Sequence, residues 1–525
     1  MAHRILVGGR WRDPRDPVGS FTANDPDTGT PIPGEYPISS WLDLEDALAA
    51  GAEASLPLAE AGPERIAAYL EAAAAGLEQR AEELVEMARL ETGLPAESRL
   101  RSSELPRTTG QLRQAAAACR ERTWTRATID TKLDIRSKLG PLGGPVAVFG
   151  PSNFPFAFNA VGGGDFAAAL AAGNPVIAKT NPQSPGTTRI MAEAAFEALA
   201  GCGLPAASVQ LVYHFSLEDA RKLVSHPLIG ATSFTGGRIA GLALKEATDR
   251  AGKPIYLEMS SANPVFVLPG ALRERGREVA AELFASCTVG AGQFCTKPGL
   301  VIYQAGPWDQ EFVASIEAAF EGAPADVVLG RGVIKGLEAG VERLRRLGAG
   351  LVAGRGQAEE PGFRFRPALF RVPAVQFLKD AAAFQVETFG ALSLLVAAAD
   401  LAEMSSIAAA LEGQLTATVF SARDGSDETA YRILEPTLRR KAGRLLNDKM
   451  PTGVAVSPAM NHGGPFPATG HPGFTSVGIP AALTRFAALH CYDGVRPDRL
   501  PVELRNENPT GRMWRLIDGE WTRRP

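Results

Sequence analysis

The chain has 525 residues, of which 45% are hydrophobic and 21% are charged, as in an ordinary soluble globular protein. This length exceeds what one simple core supports and predicts two or three domains. The 54 Lys and Arg residues nearly balance the 58 Asp and Glu residues, so the charge gives no reason to expect nucleic acid as a partner.

The cysteines argue against a secreted, disulfide-bonded protein. There are five, an odd and scattered set, and no CxxC pair is present. No apolar run suits a signal peptide or a membrane span. We therefore expect a cytoplasmic protein with no membrane partner.

The tail from about Asn461 is rich in Gly and Pro and is interpreted as a loop-rich cover without a catalytic role. His462 and His471 lie in it, but no acidic or thiol residue stands near them at ligand spacing. We predict no metal site.

In chain order, residues 1–40 predict an irregular arm with edge strands. Residues 42–119 have helical periodicity, typical of a bundle or of helices flanking a sheet. In 123–139 polar and apolar residues alternate, which predicts a strand or hairpin, and 483–492 could pair with it.

An alternating α/β region begins at Pro145. Short apolar runs separated by helical segments predict a doubly wound parallel sheet, with ligands at the carboxyl ends of its strands. The predicted strands are 146–149, 175–178, 209–212, 231–234 and 254–257.

Two features at the ends of these strands suit a dinucleotide. The run 236–241 follows a strand and opens a helix, but it reads GxxxxG and not GxGxxG, so it could equally serve helix–strand packing. Lys179 ends another strand and could reach a ribose hydroxyl or a phosphate, or be a solvated cap.

The stretch 289–299 contains the candidate nucleophile, Cys295. Gly290 and Gly292 allow a tight backbone turn close to a ligand, so the thiol would be accessible to a carbonyl. The alternative is that Cys295 is a small buried hydrophobic residue.

Glu258 ends the last predicted strand beside apolar residues. We expect burial to raise its pKa towards neutrality and suit it to act as a general base, unless it is an ordinary strand-end glutamate. Asn153 lies in a Pro-bounded turn, where its amide could donate to an oxyanion or merely stabilise the turn.

Taken together, these residues resemble the aldehyde dehydrogenase superfamily. The motifs that carry the resemblance, in chain order, are PSNFP at 151–155, Lys179, FTGG at 234–237 with Gly241, LEMS at 257–260, GQFC at 292–295 and ETFG at 387–390. Further runs resemble the α-ketoglutarate semialdehyde dehydrogenase branch, which also holds NADP-preferring fatty aldehyde dehydrogenases. They are ETGLP at 91–95, CTKPGLV at 295–301, GQLTAT at 413–418, PTGV at 451–454 and HGGPFPAT at 462–469.

The resemblance implies an α/β fold with a Rossmann-type cofactor domain, a second α/β catalytic domain and a small β oligomerisation element. The implied parts are 1–122 with 142–259 for the dinucleotide, 260–482 for catalysis, 123–141 with 483–500 for oligomerisation, and a C-terminal tail at 501–525. The implied assembly is a homodimer or homotetramer.

The resemblance also implies NAD(P)-dependent oxidation of an aldehyde, α-ketoglutarate semialdehyde or a related one, to the acid. Cys295 would form a thiohemiacetal and then a thioester, Asn153 and the Cys295 N–H would bind the oxyanion, and Glu258 would activate water. The implied cofactor-binding residues are Phe149, Pro151, Ser152, Lys179, Pro182, Thr235, Gly236, Gly237, Glu387 and Phe389.

Several positions depart from the family pattern. Pro182 stands where NAD-preferring members carry a glutamate, which removes a carboxylate that would repel a 2′-phosphate, so NADP is expected over NAD. Gly237 replaces a serine, Ala391 replaces a proline, and the bulky Phe294 precedes the cysteine.

Two other functions remain open at this point. A thioester enzyme could transfer its acyl group to coenzyme A, although an intact Glu258 favours water. A non-catalytic protein could keep the fold, although the joint presence of Cys295, Glu258 and Asn153 argues against it.

Overall fold

A computed structural model describes residues 2–354 and 360–524. Its first sheet has seven strands, of which the five from the predicted α/β region run parallel. The N-terminal arm adds two antiparallel strands at one edge, as predicted. The strand order is Ile255–Glu258, Ala231–Thr235, Val146–Phe149, Val176–Lys179, Val209–Val212, Ile5–Val7 and Arg10–Arg12.

The central strands of this sheet are short and almost wholly buried, as expected for parallel strands covered by helices on both faces. The α-helices of this half are Trp41–Glu60, Gly62–Gln79, Ala81–Thr92, Leu105–Glu121, Gly164–Ala171, Pro185–Cys202, Leu217–Ser225 and Arg238–Ala251, with a π-helix at Ala96–Glu104.

A second seven-stranded sheet is parallel except for one antiparallel edge strand, Gly350–Ala353. Its order is Gly350–Ala353, Ala368–Pro373, Leu392–Ala398, Leu300–Gln304, Val265–Val267, Gln414–Phe420 and Ala442–Asn447. Its helices are Pro269–Thr288, Gln310–Glu321, Arg331–Arg346, Ala374–Phe377, Ala381–Phe384, Leu401–Ala410 and Glu428–Lys441. The segment that holds Cys295 enters the middle strand of this sheet, Leu300–Gln304.

A third, five-stranded sheet joins distant parts of the chain in the order Ala487–Asp493, Ile135–Pro141, Thr128–Asp130, Arg515–Ile517 and Glu520–Thr522. The predicted pairing of 483–492 with the hairpin is confirmed, with Leu489 opposite Leu139. The segment 501–525 supplies the last two strands, because its apolar residues pack with Ala127 and Ile129 in a small separate core.

The remaining regular elements are short. Two-stranded ladders join Gly19–Phe21 to Tyr36–Ile38 and Asp326–Val327 to Arg364–Phe365. The 3-10 turns are Thr123–Thr125, Ala206–Ser208, Val289–Gly292, Ala481–Phe486, Pro497–Arg499 and Val502–Leu504. Across 2–354 and 360–524, no helix combines the length and apolarity needed to cross a membrane.

The register of the first sheet positions the site. Thr235 lies opposite Glu258, and Phe149 lies opposite Lys179, at the carboxyl ends of their strands. Parallel strands present these ends at one edge, where ligands bind in open α/β sheets.

Candidate active site

Glu258 is the centre of a buried hydrogen-bond group at the end of its strand. Ser476 Oγ donates to Glu258 Oε2 at 3.0 Å, and His462 Nε2 lies 2.9 Å from Glu258 Oε1. Both partners come from the Gly- and Pro-rich segment after Asn461, which folds over the end of the first sheet and bridges to it between Glu258 and Thr469.

The thiol of Cys295 joins the same group. Its Sγ lies 3.3 Å from His462 Nε2, and one ligand atom each from Cys295, Glu258 and His462 lie within 4.8 Å of one another. A thiol, a carboxylate and an imidazole in mutual contact can pass a proton among themselves, which a nucleophile and a general base both require.

The predicted upward shift of the Glu258 pKa is wrong. Burial does favour the neutral carboxyl, but the charge and hydrogen bond of His462, with the Ser476 hydroxyl, outweigh it and lower the pKa. The pKa of Cys295 is raised by burial and by the adjacent Glu258 carboxylate, while the Arg107 guanidinium opposes that shift. The resting site therefore holds a carboxylate beside a neutral thiol.

The backbone around Cys295 has the tight turn that its glycines predict. Gly290, Ala291 and Gly292 all have positive φ, of 57°, 55° and 70°. A Cβ on Gly292 would come within 2.5 Å of the Ala391 nitrogen, so this loop packs directly on the segment after Glu387.

Asn263 also holds this loop, although it was not singled out from the sequence. Its Nδ2 donates to the carbonyls of Cys295 at 2.9 Å and Lys297 at 3.1 Å. Gln414 in turn accepts from the Asn263 N–H. The nucleophile is thus fixed from its carbonyl side, which leaves its N–H facing elsewhere.

The two predicted oxyanion donors lie at the same cleft. Asn153 Nδ2 donates to the Gln293 carbonyl at 3.0 Å, which uses one of its two N–H bonds. For the Cys295 N–H, no acceptor is found within the described part of the chain. Asn153 and Cys295 both line a cleft of about 490 Å³.

This cleft runs along the carboxyl end of the first sheet. Of the predicted cofactor residues, it is lined by Pro151, Ser152, Thr235, Gly236, Gly237, Glu387 and Phe389, together with Cys295, Glu258 and Asn153. Gly237 caps the 14-residue helix Arg238–Ala251, whose free N–H groups and dipole suit a pyrophosphate. These residues fit a dinucleotide.

Glu387 lines this cleft. Burial raises its pKa to about 7, although Ser260 and the Lys297 ammonium favour the ionised form. Thr388, the next residue, packs against Gly340 and accepts a hydrogen bond from Arg343, which fixes the loop before the strand Leu392–Ala398.

Three predicted cofactor residues, Phe149, Lys179 and Pro182, do not line the cleft itself. Burial lowers the pKa of Lys179 to about 8. The neighbours of Pro182 line the cleft instead, and Gln183 accepts from Ser152 Oγ at 2.7 Å. The cofactor roles of these three residues, and of the seven that line the cleft, stay predictions.

The family model described as "Aldehyde dehydrogenase family" matches residues 11–464. The chain belongs to the aldehyde dehydrogenase family. It is 40% identical over 519 residues to alpha-ketoglutaric semialdehyde dehydrogenase 2 of Azospirillum brasilense, covering 96% of each protein. It is 38% identical over 490 residues to alpha-ketoglutaric semialdehyde dehydrogenase of Acinetobacter baylyi, covering 91% of each.

Solved structures share the fold of this aldehyde dehydrogenase at lower identity. Aldehyde dehydrogenase C of Pseudomonas syringae, complexed with NAD⁺ and octanal, matches with a TM-score of 0.79 at 23% identity, over 95% of this chain and 98% of that one. NADP-dependent glyceraldehyde-3-phosphate dehydrogenase of Bacillus halodurans, complexed with NADP, matches with a TM-score of 0.77 at 21% identity, over 94% and 100%. The enzyme is an NAD(P)-dependent aldehyde dehydrogenase.

Like Asn263, His462 is a residue of this dehydrogenase that sequence reasoning missed. The segment after Asn461 does more than cover the sheet, because its His462 contacts both Cys295 and Glu258. The reason given against a metal was also wrong, since a thiol and a carboxylate do lie beside His462. That no metal binds stays a prediction. A histidine 167 residues from Cys295 along the chain carries no local sign of this contact.

Proposed function

We propose that this enzyme oxidises α-ketoglutarate semialdehyde, or a closely similar short oxo-acid aldehyde, to the dicarboxylic acid. The observation that carries the proposal is the position of Cys295, in contact with Glu258 and His462 at the wall of a dinucleotide cleft. The names of the relatives from Azospirillum brasilense and Acinetobacter baylyi support the choice of aldehyde.

The first step makes the nucleophile. The Cys295 thiol loses its proton to the Glu258 carboxylate beside it, and Glu258 releases that proton before the hydrolysis step. The thiolate then bonds to the aldehyde carbon, and the carbonyl electron pair moves to oxygen. The second Asn153 N–H and the Cys295 N–H are the donors for the resulting oxyanion.

The second step oxidises the thiohemiacetal to a thioester. A bound nicotinamide supplies the hydride acceptor. The chain's own part is positional, because Thr235, Gly236 and Gly237 would hold the pyrophosphate and Glu387 the ribose next to the ring.

The third step is hydrolysis. Glu258 takes a proton from water, whose oxygen bonds to the thioester carbon, and the Cys295 sulfur leaves as the acid is released. The lowered pKa of Glu258 keeps it ionised at neutral pH, which is the form that can accept a proton from water.

We propose NADP over NAD as the cofactor. The side chain of Pro182 presents neither charge nor acceptor to an adenosine ribose, and Lys179 supplies a cation nearby in sequence. Burial, and then the Lys179 charge, lower the pKa of His214 to about 4, so His214 is neutral at pH 7 and adds no charge there. Arg221 lies on the helix Leu217–Ser225 as a further cation.

We also propose a homodimer or homotetramer in the cytoplasm. Ala487–Asp493 forms one edge of the five-stranded sheet, and its Leu489 is 69% exposed. Such an edge is a template for pairing with a second chain. The five cysteines are free, which suits a reducing compartment. Light scattering at micromolar concentration tests the assembly, and a monomer contradicts it.

A spectrophotometric assay tests the activity. The purified chain is mixed with α-ketoglutarate semialdehyde or octanal, with NAD or NADP, and with or without coenzyme A, while reduced nicotinamide is measured. We expect fast turnover with the semialdehyde and NADP that does not depend on coenzyme A. Turnover only with coenzyme A would assign thioester transfer, and no turnover with either aldehyde would refute the proposal.

A further inference from the structure

A group of aromatic rings borders Cys295 outside the dinucleotide cleft. We call Phe154, Phe158 and Phe294 the aromatic wall. The ring of Phe154 packs edge-on against Phe158 at 5.2 Å and Phe294 at 5.3 Å. Phe294 directly precedes Cys295, and Phe158 lies 5.9 Å from the His462 ring. None of the three lines the dinucleotide cleft.

Two arginines lie over the aromatic wall. The Arg99 guanidinium lies 4.1 Å from the Phe154 ring centroid and pairs with Glu104 at 3.4 Å. The Arg107 guanidinium lies 5.3 Å from the Phe158 centroid and 5.7 Å from that of Phe154. For Arg107, no ion pair is found within residues 2–354 and 360–524.

The guanidinium group of Arg107 uses only part of its hydrogen-bonding capacity. Its Nη1 donates to the Val454 carbonyl at 2.7 Å. Its Nε and Nη2 are buried, and neither has an acceptor in the described part of the chain. These two nitrogens form one edge of the guanidinium, and their parallel N–H bonds match the two oxygens of a carboxylate.

A second arginine extends the positive charge towards the nucleophile. Arg444 Nη2 donates to the Pro451 carbonyl at 2.7 Å, and its Nη1 donates to Gly453 at 3.2 Å. Arg107 and Arg444 thus both donate to carbonyls of the same short segment, 451–454. Burial lowers the pKa of both guanidinium groups. Arg107 lies over the ring of Phe158, which is 5.9 Å from the ring of His462, the residue that contacts Cys295. Arg444 donates to the carbonyl of Gly453, whose N–H donates to Thr296, the neighbour of Cys295.

We propose that the Nε and Nη2 edge of Arg107 binds the distal carboxylate of the aldehyde substrate, so the site selects short ω-oxo acids. The aromatic wall contacts the carbon chain between the two ends, and Arg444 adds positive charge. This inference rests on the proposed aldehyde oxidation and deepens it. A neutral aldehyde of equal length leaves the same two buried donors unpaired, which a site of this kind penalises.

The test compares 5-oxopentanoate with pentanal, which have equal length and differ in the terminal carboxylate. We expect the wild-type enzyme to prefer 5-oxopentanoate by about 100-fold or more in kcat/KM. In Arg107→Met we expect that preference to fall by at least about 100-fold, mainly through KM. Arg107→Lys keeps the positive charge but cannot donate two parallel hydrogen bonds, so its preference for 5-oxopentanoate should fall by about tenfold.

A binding measurement removes the dependence on turnover. Glutarate should inhibit the wild-type enzyme competitively against 5-oxopentanoate, and its inhibition constant should rise by about 100-fold in Arg107→Met. Arg113→Met is the matched control, because Arg113 lies on the same helix and is paired with Glu78 at the surface. Arg113→Met should change neither the preference for 5-oxopentanoate nor the inhibition constant of glutarate.

The outcomes separate this inference from the proposed function. If wild type oxidises both aldehydes equally, or if Arg107→Met keeps the wild-type preference and glutarate inhibition, the carboxylate site is refuted and aldehyde oxidation stands. If wild type oxidises neither aldehyde, nor α-ketoglutarate semialdehyde, the proposed function itself fails. Should Arg107→Met not fold, the Lys variant decides, because an unchanged preference there also refutes the site.

Discussion

Cys295 lies between two regions that differ in composition, the dinucleotide cleft and the aromatic wall with its arginines. On the cleft side, the lining includes Gly236, Gly237 and the N-terminus of the helix Arg238–Ala251, together with the side chains of Glu258 and Glu387. On the other side stand the aromatic wall, Arg107 and Arg444. Backbone groups suit a ligand whose phosphates are always the same, whereas side chains can be changed to suit one aldehyde.

The buried group of Cys295, Glu258 and His462 lies between these two surroundings and serves both. In the proposed mechanism, it takes the proton of the thiol when the substrate enters and activates water after the hydride has left. Variants that alter only this group, only the cofactor cleft or only the aromatic wall with its arginines therefore test whether the three parts have separate roles.

The largest effect is expected from Cys295→Ala. Removing the covalent nucleophile should lower kcat by at least about a thousandfold, or about 4 kcal/mol, while dinucleotide affinity stays near that of wild type. Stopped-flow absorbance measures the turnover, and cofactor fluorescence measures the dinucleotide affinity. Cys202→Ala, which removes another partly exposed thiol, should keep full activity. Residual turnover above about one part in a thousand would contradict the assignment.

Glu258→Gln should separate the two chemical steps. We expect a burst of about one equivalent of reduced cofactor, followed by steady-state turnover about 10²- to 10⁴-fold slower, because water lacks its base. Rapid-mixing kinetics followed by mass spectrometry of the trapped acyl-enzyme measures both. Glu246→Gln, on an exposed helix face, is the control. Equal slowing of burst and steady state would show that Glu258 does not act in hydrolysis.

His462→Leu should act through Glu258. His462 lowers the pKa of Glu258, so without it burial raises that pKa and the carboxylate protonates at higher pH. The acid limb of the steady-state pH profile should therefore move to higher pH. Losing a hydrogen bond to a charged group should also slow turnover roughly 10- to 100-fold. His471→Leu, which removes an exposed histidine of the same segment, should leave the profile unchanged, and an unmoved acid limb in His462→Leu would refute the coupling.

Pro182→Glu should give the smallest change and alters only the cofactor side. A carboxylate there would accept from an adenosine 2′-hydroxyl and repel a 2′-phosphate. A charge-assisted hydrogen bond is worth about 1.5–3 kcal/mol, so the NADP preference should fall by roughly tenfold or more. Michaelis constants for both cofactors measure this. A wild-type enzyme that already prefers NAD would show that another residue holds the adenosine ribose.

Much of the cofactor half could be predicted from the sequence. Runs such as 146–149 and 209–212 are short, apolar and rich in valine, and they match the observed strands Val146–Phe149 and Val209–Val212. Parallel strands buried on both faces require this composition. The strand predicted at 254–257 is the strand Ile255–Glu258, so Glu258 indeed ends it at the cleft.

The pairing partners of the site were harder to predict. Asn263 and His462 act through contacts across 32 and 167 residues of chain, and neither has a local motif that reports its partner. Arg107 on its helix has the appearance of any helical arginine until the carbonyl of Val454 and two unpaired nitrogens are seen around it.

The sequence by itself determined the chemistry available to this enzyme: a thiol in a glycine-rich turn, a carboxylate at a strand end, an amide donor and a parallel sheet to present them. These depend on residue type and local backbone preference, which are encoded within a few residues. The tertiary structure decided which groups share a proton and in which direction the Glu258 pKa moves. A pKa depends on the charges and hydrogen bonds that surround a group in space, and for Glu258 these come from residues more than 200 positions away.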